Sequence, residues 1–232
     1  MTVVRIAPWA RTPLSLIGLL MSVMFSVVAL PGLASAQAAE TTSPMIDPEL
    51  GGDGGLTEGA WNLDLIKGSV DAPVVLVEYA SWTCPHCKSF HEQITNPVLE
   101  PLIEEGVLRF IARDFLRNWI DLRVAAAVRC GDIDFAAASD VLFFNQQSYS
   151  INDPDAVNAA IVTLLGEQGL TDEALKACMA DTELLQWLVE RTAEGQEVGV
   201  SGTPSIFING EVYPLQNLAD LETHIRTLAA AQ

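Results

Sequence analysis

Cys84-Pro85-His86-Cys87 is the feature that most narrows what this chain can become. It follows a strand-like run, Val74-Val75-Leu76-Val77-Glu78-Tyr79-Ala80, and opens a segment of helical character from Lys88 to Glu105. Two cysteines at this spacing on a strand-to-helix junction put the first thiol at a helix start. There, unpaired backbone N–H groups and the helix dipole favour a thiolate. The second thiol, three residues on, lies one turn below and can close a small ring with it. Redox chemistry at Cys84 and Cys87 is the reading this supports. A metal site is the competing use of such residues. Zinc takes about four ligands. Cys84, Cys87 and His86 offer three, Pro85 stiffens the loop, and no second Cys/His cluster stands nearby in the sequence. His91 and His224 are single histidines on predicted helices and are expected on solvated faces. No metal or other cofactor is expected. Hydrolysis by a cysteine nucleophile would need distant His and Asn or Asp partners and would leave the second cysteine without a purpose.

Compartment decides how such a pair is used. Arg5 and Arg11 are the only charges in residues 1–36, followed by an apolar run from Leu14 to Leu30 and then Pro31-Gly32-Leu33-Ala34-Ser35-Ala36. A positive start, an apolar middle and a small-x-small exit describe a secretory signal peptide. The apolar run is at the lower limit for a membrane span, and Pro31-Gly32 favours cleavage over an uncleaved anchor. No cysteine follows the run to carry lipid, and no paired arginines mark a twin-arginine signal. All 30 acidic residues but only ten of the 12 basic ones follow residue 36, so the exported part carries a net charge of −20. A field of that sign argues against nucleic acid and anionic lipid as partners. All four cysteines, Cys84, Cys87, Cys130 and Cys178, lie in this part, an even count compatible with two disulfides in an oxidising compartment.

Residues 37–56, rich in Gly, Pro and small polar side chains, read as a flexible linker. Structure is expected from near Trp61, with a short strand Asn62–Lys67 and a turn before Val74. The helix after the cysteines meets Asn96-Pro97, where a kink or break is predicted, and ends at a glycine cap, Gly106. Val107–Phe115 alternates like a strand. Five helical segments follow at 122–130, 133–145, 155–168, 171–180 and 182–197, with Asp155 and Thr171 as N-caps and Gly131 and Gly166 as stops. Ser205–Ile208, Asn209-Gly210 and Glu211–Tyr213 read as a hairpin, and residues 217–230 as a final helix. The order is β-β-α-β, a helical block, then β-β-α. It predicts an α/β fold, one small sheet with helices on both faces and a helical insertion.

The order and motifs together resemble the thioredoxin fold with an inserted α-helical domain, as in the DsbA-like thiol–disulfide oxidoreductases. The resemblance covers about residues 60–230 and rests on Cys84-Pro85-His86-Cys87, on Gly202-Thr203-Pro204 before the hairpin, and on the place of Glu78. It implies a first thioredoxin part at 57–121, an insertion at 122–197 and a second part at 198–232. It implies an exposed nucleophile at Cys84, helped by a hydrogen bond or charge from His86, and a buried partner at Cys87. Glu78 would be the buried acid that takes the Cys87 proton. Pro204 would be a cis-proline, with the Thr203 backbone pairing with the substrate chain. Threonine at 203 departs from the valine of the best-known strong oxidases and also occurs in isomerases. Trp82, so near Cys84, is expected beside the site, and the other tryptophans in core or groove rim. Some DsbA-like branches carry a second disulfide in the insertion, which a Cys130–Cys178 bond resembles; two free buried thiols are the alternative. The implied function is a periplasmic oxidase that introduces disulfides into reduced exported proteins, reoxidised by a DsbB-like membrane oxidase. An isomerase or reductase of the same fold is the alternative. No dimerisation module is seen, so a monomer is expected. A peptide-binding chaperone with a structural disulfide is the remaining reading, against which a solvent-facing His86 argues.

Overall fold

The computed structural model describes residues 64–232. The signal peptide, the linker, Trp61 and the first residues of the expected opening strand lie outside them. Within them, five strands form one mixed sheet in the order β1-β3-β2-β4-β5, with β1 at Leu65–Lys67, β2 at Val74–Ala80, β3 at Leu108–Asp114, β4 at Ser205–Ile208 and β5 at Glu211–Tyr213. The central strand β2 runs parallel to β3, Val74 opposite Leu108 through Ala80 opposite Asp114, and antiparallel to β4, Leu76 opposite Ile208. Its Val-rich run is what a strand covered on both faces requires. On one face Leu76, Phe110, Ile206 and Ile208 pack against Phe90, Leu99, Leu102, Leu221 and Ile225. On the other, Val77, Tyr79, Ile111 and Phe207 pack with Phe115 and Val200.

The first long helical stretch begins with α1, Pro85–Phe90, and Cys84 is its N-cap rather than its first residue. Pro97 does not break the stretch. With no N–H to donate, it sits inside a wider π-helical segment, His91–Leu99, which runs into α2, Glu100–Glu104. Between β3 and β4 come α3 (Trp119–Ala127), α4 (Phe135–Phe144), α5 (Gln146–Tyr149), α6 (Pro154–Leu165), α7 (Asp172–Ala180) and α8 (Thr182–Glu197). The helices thus begin at Trp119, ahead of the expected residue 122, because the Asn118 side chain caps α3 by accepting from the Ile120 and Asp121 N–H groups. Asp153, not Asp155, caps α6: Pro154 fits the first helical position, which shifts the cap one residue ahead of it. Thr171 caps α7. Gly166 continues into a short 3₁₀ turn, and the left-handed stop is Gly169, with φ of 93°. The hairpin turns at Asn209-Gly210 with both φ positive, and a 3₁₀ turn, Leu215–Asp220, leads into the final helix α9, Leu221–Ala230.

The insertion has its own core, built around Val124, Leu142, Tyr149, Ile161, Leu165, Leu184 and Leu188, and both Cys84 and Cys87 belong to it. Cys130, just after α3, and Cys178, in α7, are joined by a disulfide across 48 residues. Helix α8 also packs on the sheet at Gly195, where a Cβ would stand 2.9 Å from Tyr79 Cε1.

Candidate active site

The turn Ser81–Cys84 leaves the end of β2 and is held from the insertion. The Asp121 carboxylate, fully buried, accepts from Ser81 Oγ at 2.9 Å, from the Thr83 N–H at 2.8 Å and from the Arg117 N–H at 2.9 Å. Burial raises the Asp121 pKa, and those same hydrogen bonds oppose the rise. From the other side the Gln146 amide donates to the carbonyls of Trp82 (2.8 Å) and Cys84 (3.0 Å), and the Tyr149 hydroxyl donates to the Trp82 carbonyl at 2.9 Å. Each of these polar contacts replaces water that a buried turn would otherwise lose.

The two thiols are unbonded, so this is the dithiol form, and their acidities are driven apart. Cys84 is lowered to about 4, first by the hydrogen bond that the Cys87 thiol donates to it. The Thr203 side chain and the backbone N–H groups of Cys87 and His86 add to this, against a cost from burial. Cys87 is pushed up: its proton is held by Cys84, it is buried, and Glu78 is close. Glu78, on β2 between Ala112 of β3 and Ile206 of β4, is 6 % exposed. Its pKa rises to about 8, mainly through burial and then through the Cys84 charge. At neutral pH the arrangement therefore holds one thiolate, one thiol and a neutral carboxylic acid. The Thr203–Pro204 peptide bond is cis, and the Thr203 carbonyl, 3.3 Å from Cys84 Sγ, accepts from the thiol form of Cys84. Beside it runs a groove lined by His86, Phe90, Ile94, Pro204, Leu215 and Leu218, open towards solvent.

Four expectations need correcting. Cys84 is not broadly exposed: the residue is 2 % accessible, packed into the core of the insertion with the Thr203 carbonyl against its sulfur. His86 is exposed, and what it brings to the thiolate is its backbone N–H. Trp82 stands beside Cys84 in the chain, but its side chain is buried rather than open to a substrate. It is 5 % exposed, its Nε1 donates to Asp114 Oδ1 at 2.7 Å, and its ring stacks on Phe143 with centroids 5.0 Å apart. Asp114 is in turn ion-paired with Arg129 at 2.6 Å, so the indole belongs to a buried polar network under the turn. His224 is exposed as expected, but His91 is buried, 4 % accessible, with Nε2 2.8 Å from Asp140 Oδ1. Helix α4 covers the face on which His91 lies.

Asp121, Gln146 and Tyr149 were not among the expected site residues. A carboxylate within the apolar stretch Trp119–Ala127 was a usable signal for Asp121. Nothing in the sequence marked Gln146 or Tyr149.

Comparison with known proteins gives a consistent picture. A family model described as thioredoxin matches residues 62–227. A Rickettsia bellii protein named as a protein-disulfide oxidoreductase is 31% identical over 150 residues, which is 63% of this chain and 57% of that one. The chain spans less than two thirds of the length of the curated relatives it matches first, at 57%, 60% and 59%. Among solved structures, alpha-DsbA1 of Wolbachia pipientis superposes with a TM-score of 0.62 at 22% identity, covering 72% of this chain and 92% of that one. A protein-disulfide isomerase from Novosphingobium aromaticivorans superposes with 0.58 at 23% identity, covering 71% and 96%. At these identities the two structures speak for the fold.

Proposed function

Given that the chain belongs to the thioredoxin family and carries the DsbA-like fold, we propose that it is an exported thiol–disulfide oxidoreductase that introduces disulfides into reduced exported proteins. The observation that carries this reading is the opposed acidity of the two thiols, Cys84 lowered to about 4 and Cys87 raised, above a neutral Glu78. A stabilised thiolate stabilises the dithiol form, which makes the Cys84–Cys87 disulfide a strong electron acceptor. In the forward reaction a substrate thiolate attacks Cys84 Sγ and the Cys84–Cys87 bond breaks. Cys87 leaves and takes a proton from Glu78. A second substrate thiolate then attacks the substrate sulfur of the mixed disulfide and releases Cys84 as the thiolate. The substrate loses two electrons and the protein gains them. The Thr203 backbone would pair with the substrate chain, whose apolar side chains would lie in the groove by Pro204. The work site would be the periplasm, and a DsbB-like membrane oxidase would restore the disulfide. No helix among the described residues is long and apolar enough to cross a membrane. The protein would act as a monomer, without nucleic acid.

The direction is tested by the equilibrium constant with glutathione, measured beside the Cys84 titration. A strongly oxidising couple with an acidic Cys84 is expected. A thioredoxin-like potential with Cys84 titrating near 9 would sink the oxidase assignment. The second reading, an isomerase or reductase, is favoured by Thr203, whose hydroxyl is buried with no partner other than Cys84 among the described residues. The isomerase named above shares this fold.

A further inference from the structure

A small cavity joins Glu78 to a second titratable group that the exchange chemistry has not used. It offers about 20 Å³ of room for water centres and is lined by Glu78, His91, Thr95, Phe110, Phe135 and Phe143, among others. One water needs roughly 10–15 Å³ on that measure, with polar partners around it. Thr95 supplies one such partner: the residue is 1 % exposed and its hydroxyl has no hydrogen-bond partner among the described residues. The charged side chains on the same wall are already matched. Arg113 is paired with Asp64, Asp114 with Arg129 and Lys67 with Glu100. That leaves Glu78 and His91 as the groups free to change protonation. His91 reaches the surface through Asp140, whose side chain is 51% exposed and also accepts from Asn96 at 2.9 Å.

We propose that His91 and Asp140, with water in this cavity, form the route by which the Glu78 proton leaves for solvent when the dithiol is reoxidised. The proposal rests on the oxidoreductase reading above. The steps balance as follows. The Cys84 thiolate attacks a disulfide, forming a mixed disulfide and releasing one thiolate. Glu78 gives up its proton through the cavity water to His91, and the imidazole passes a proton on to Asp140 and solvent. The Glu78 carboxylate then takes the proton from Cys87, and the Cys87 thiolate attacks Cys84 Sγ, expelling the second thiolate. The fold supplies the timing. The Cys84 charge is one of the two causes that keep Glu78 protonated, and it vanishes as the mixed disulfide forms. Burial lowers the His91 pKa, while Asp140 and Glu100 raise it and Lys67 lowers it, so the ring is neutral at pH 7 and able to pass a proton on.

The test mixes the reduced wild type, His91→Gln, Asp140→Asn and Glu78→Gln rapidly with oxidised glutathione, quenches in acid, and reads by mass the Cys84–glutathione adduct and the closed disulfide. Glutamine can keep the hydrogen bond to Asp140 but cannot carry a proton. Ring closure should slow by about tenfold in His91→Gln and Asp140→Asn, less than the 10²–10⁴ typical of losing a direct acid or base, and the adduct should accumulate. Adduct formation and the Cys84 titration should stay as in the wild type. The deficit should be non-additive with Glu78→Gln. It should fade above about pH 8, where Glu78 starts ionised and has no proton to export. A packing defect would persist at every pH and would overturn the proposal. Closure at the wild-type rate in both variants, with Glu78→Gln slowed, overturns the relay and leaves the oxidoreductase reading standing. A wild type that forms no adduct overturns both. Asp140 is half exposed, so Asp140→Asn carries the test even if His91→Gln fails to fold.

Discussion

Reducing the Cys84–Cys87 pair should change the stability of the protein in a pH-dependent way whose sign the site dictates. Cys84 titrates at about 4 in the folded dithiol against an ordinary 9.0. Between those values the folded reduced protein binds one proton fewer than the unfolded chain, so its stability rises with pH. The contribution is fully present above pH 9 and is lost as pH falls through 4. At about 1.4 kcal/mol per unit it is worth about 1.4 kcal/mol at pH 5 and about 4 kcal/mol at pH 7. Glu78 works the other way, since its folded value of about 8 lies above the ordinary 4.5 and its contribution falls as pH rises between them. Its larger cause, burial, is common to both redox forms and cancels in their difference; only the Cys84 charge leaves a residue to subtract. The oxidised form gains about 2 kcal/mol from the short loop that constrains its unfolded chain. The dithiol should therefore be the more stable form at pH 7, by about 2 kcal/mol, with the two forms level near pH 5 to 6. Urea unfolding of both forms from pH 5 to 8, beside a thiolate absorbance titration, measures this. A reduced-minus-oxidised difference that stays flat with pH would refute the electrostatic account, as would thiolate absorbance that first appears near pH 9.

Replacing Cys130 and Cys178 together by serine should cost about 4 kcal/mol on the chain-entropy model for 48 intervening positions; a loss under about 1 kcal/mol in denaturant unfolding would mean that the insertion is held by packing alone. Gly195→Ala gains about 1 kcal/mol of helix propensity. Its Cβ, however, meets the Tyr79 ring at 2.9 and 3.1 Å and Phe115 at 3.3 Å. Both rings are buried, so overpacking of about 1–3 kcal/mol should win, and a raised Tm would contradict the close approach. Asp121→Ala removes the acceptor for Ser81, Thr83 and Arg117. It should lower stability by about 2–3 kcal/mol and broaden the reactivity of Cys84 towards iodoacetamide; an unchanged melt would place the turn's support elsewhere.

What was legible follows the range of the interaction that determines it. The strand run Val74–Ala80, the cysteine pair, Asn209-Gly210 and the Thr171 cap are written within a few residues of chain, and each stands where its local pattern put it. The supports of the turn are not local. Asp121 reaches back 38 residues to Thr83, Gln146 62 residues to Cys84, and Tyr149 67 residues to Trp82. No periodicity announces which polar side chain of an inserted helix faces the parent sheet. Trp82 and His91 were misread for the same reason. Adjacency to Cys84 places Trp82 beside the site, open to a substrate, but α4 brings Phe143 onto its face and β3 brings Asp114 to its Nε1. His91 would be solvated on an isolated helix, and it is Asp140 of the same α4 that gives it a buried partner. A kink or break is expected at Asn96-Pro97 because a proline removes one bond of an α-helix; a π-helical segment accommodates that loss without ending the stretch.

The same network that hides Cys87 also supplies the means of unmasking it. In the dithiol the strongest influence holding its proton is the hydrogen bond to the Cys84 thiolate, with burial and the nearby Glu78 behind it. Cys87 is then a poor nucleophile, so a free dithiol does not spend its second thiol on the wrong disulfide. Once Cys84 is joined to a partner sulfur, its charge is gone and that hydrogen bond has lost its anionic acceptor. The largest cause of the raised Cys87 pKa disappears in the step that makes Cys87 necessary. Glu78 moves in the complementary direction, because the charge that helped keep it protonated has gone too. One bond-making event at Cys84 would thus make Cys87 more acidic and bring Glu78, its proposed base, closer to ionisation. The strand that carries Glu78 and the turn that carries the thiols are consecutive in the chain, so this coupling needs no conformational change to transmit it.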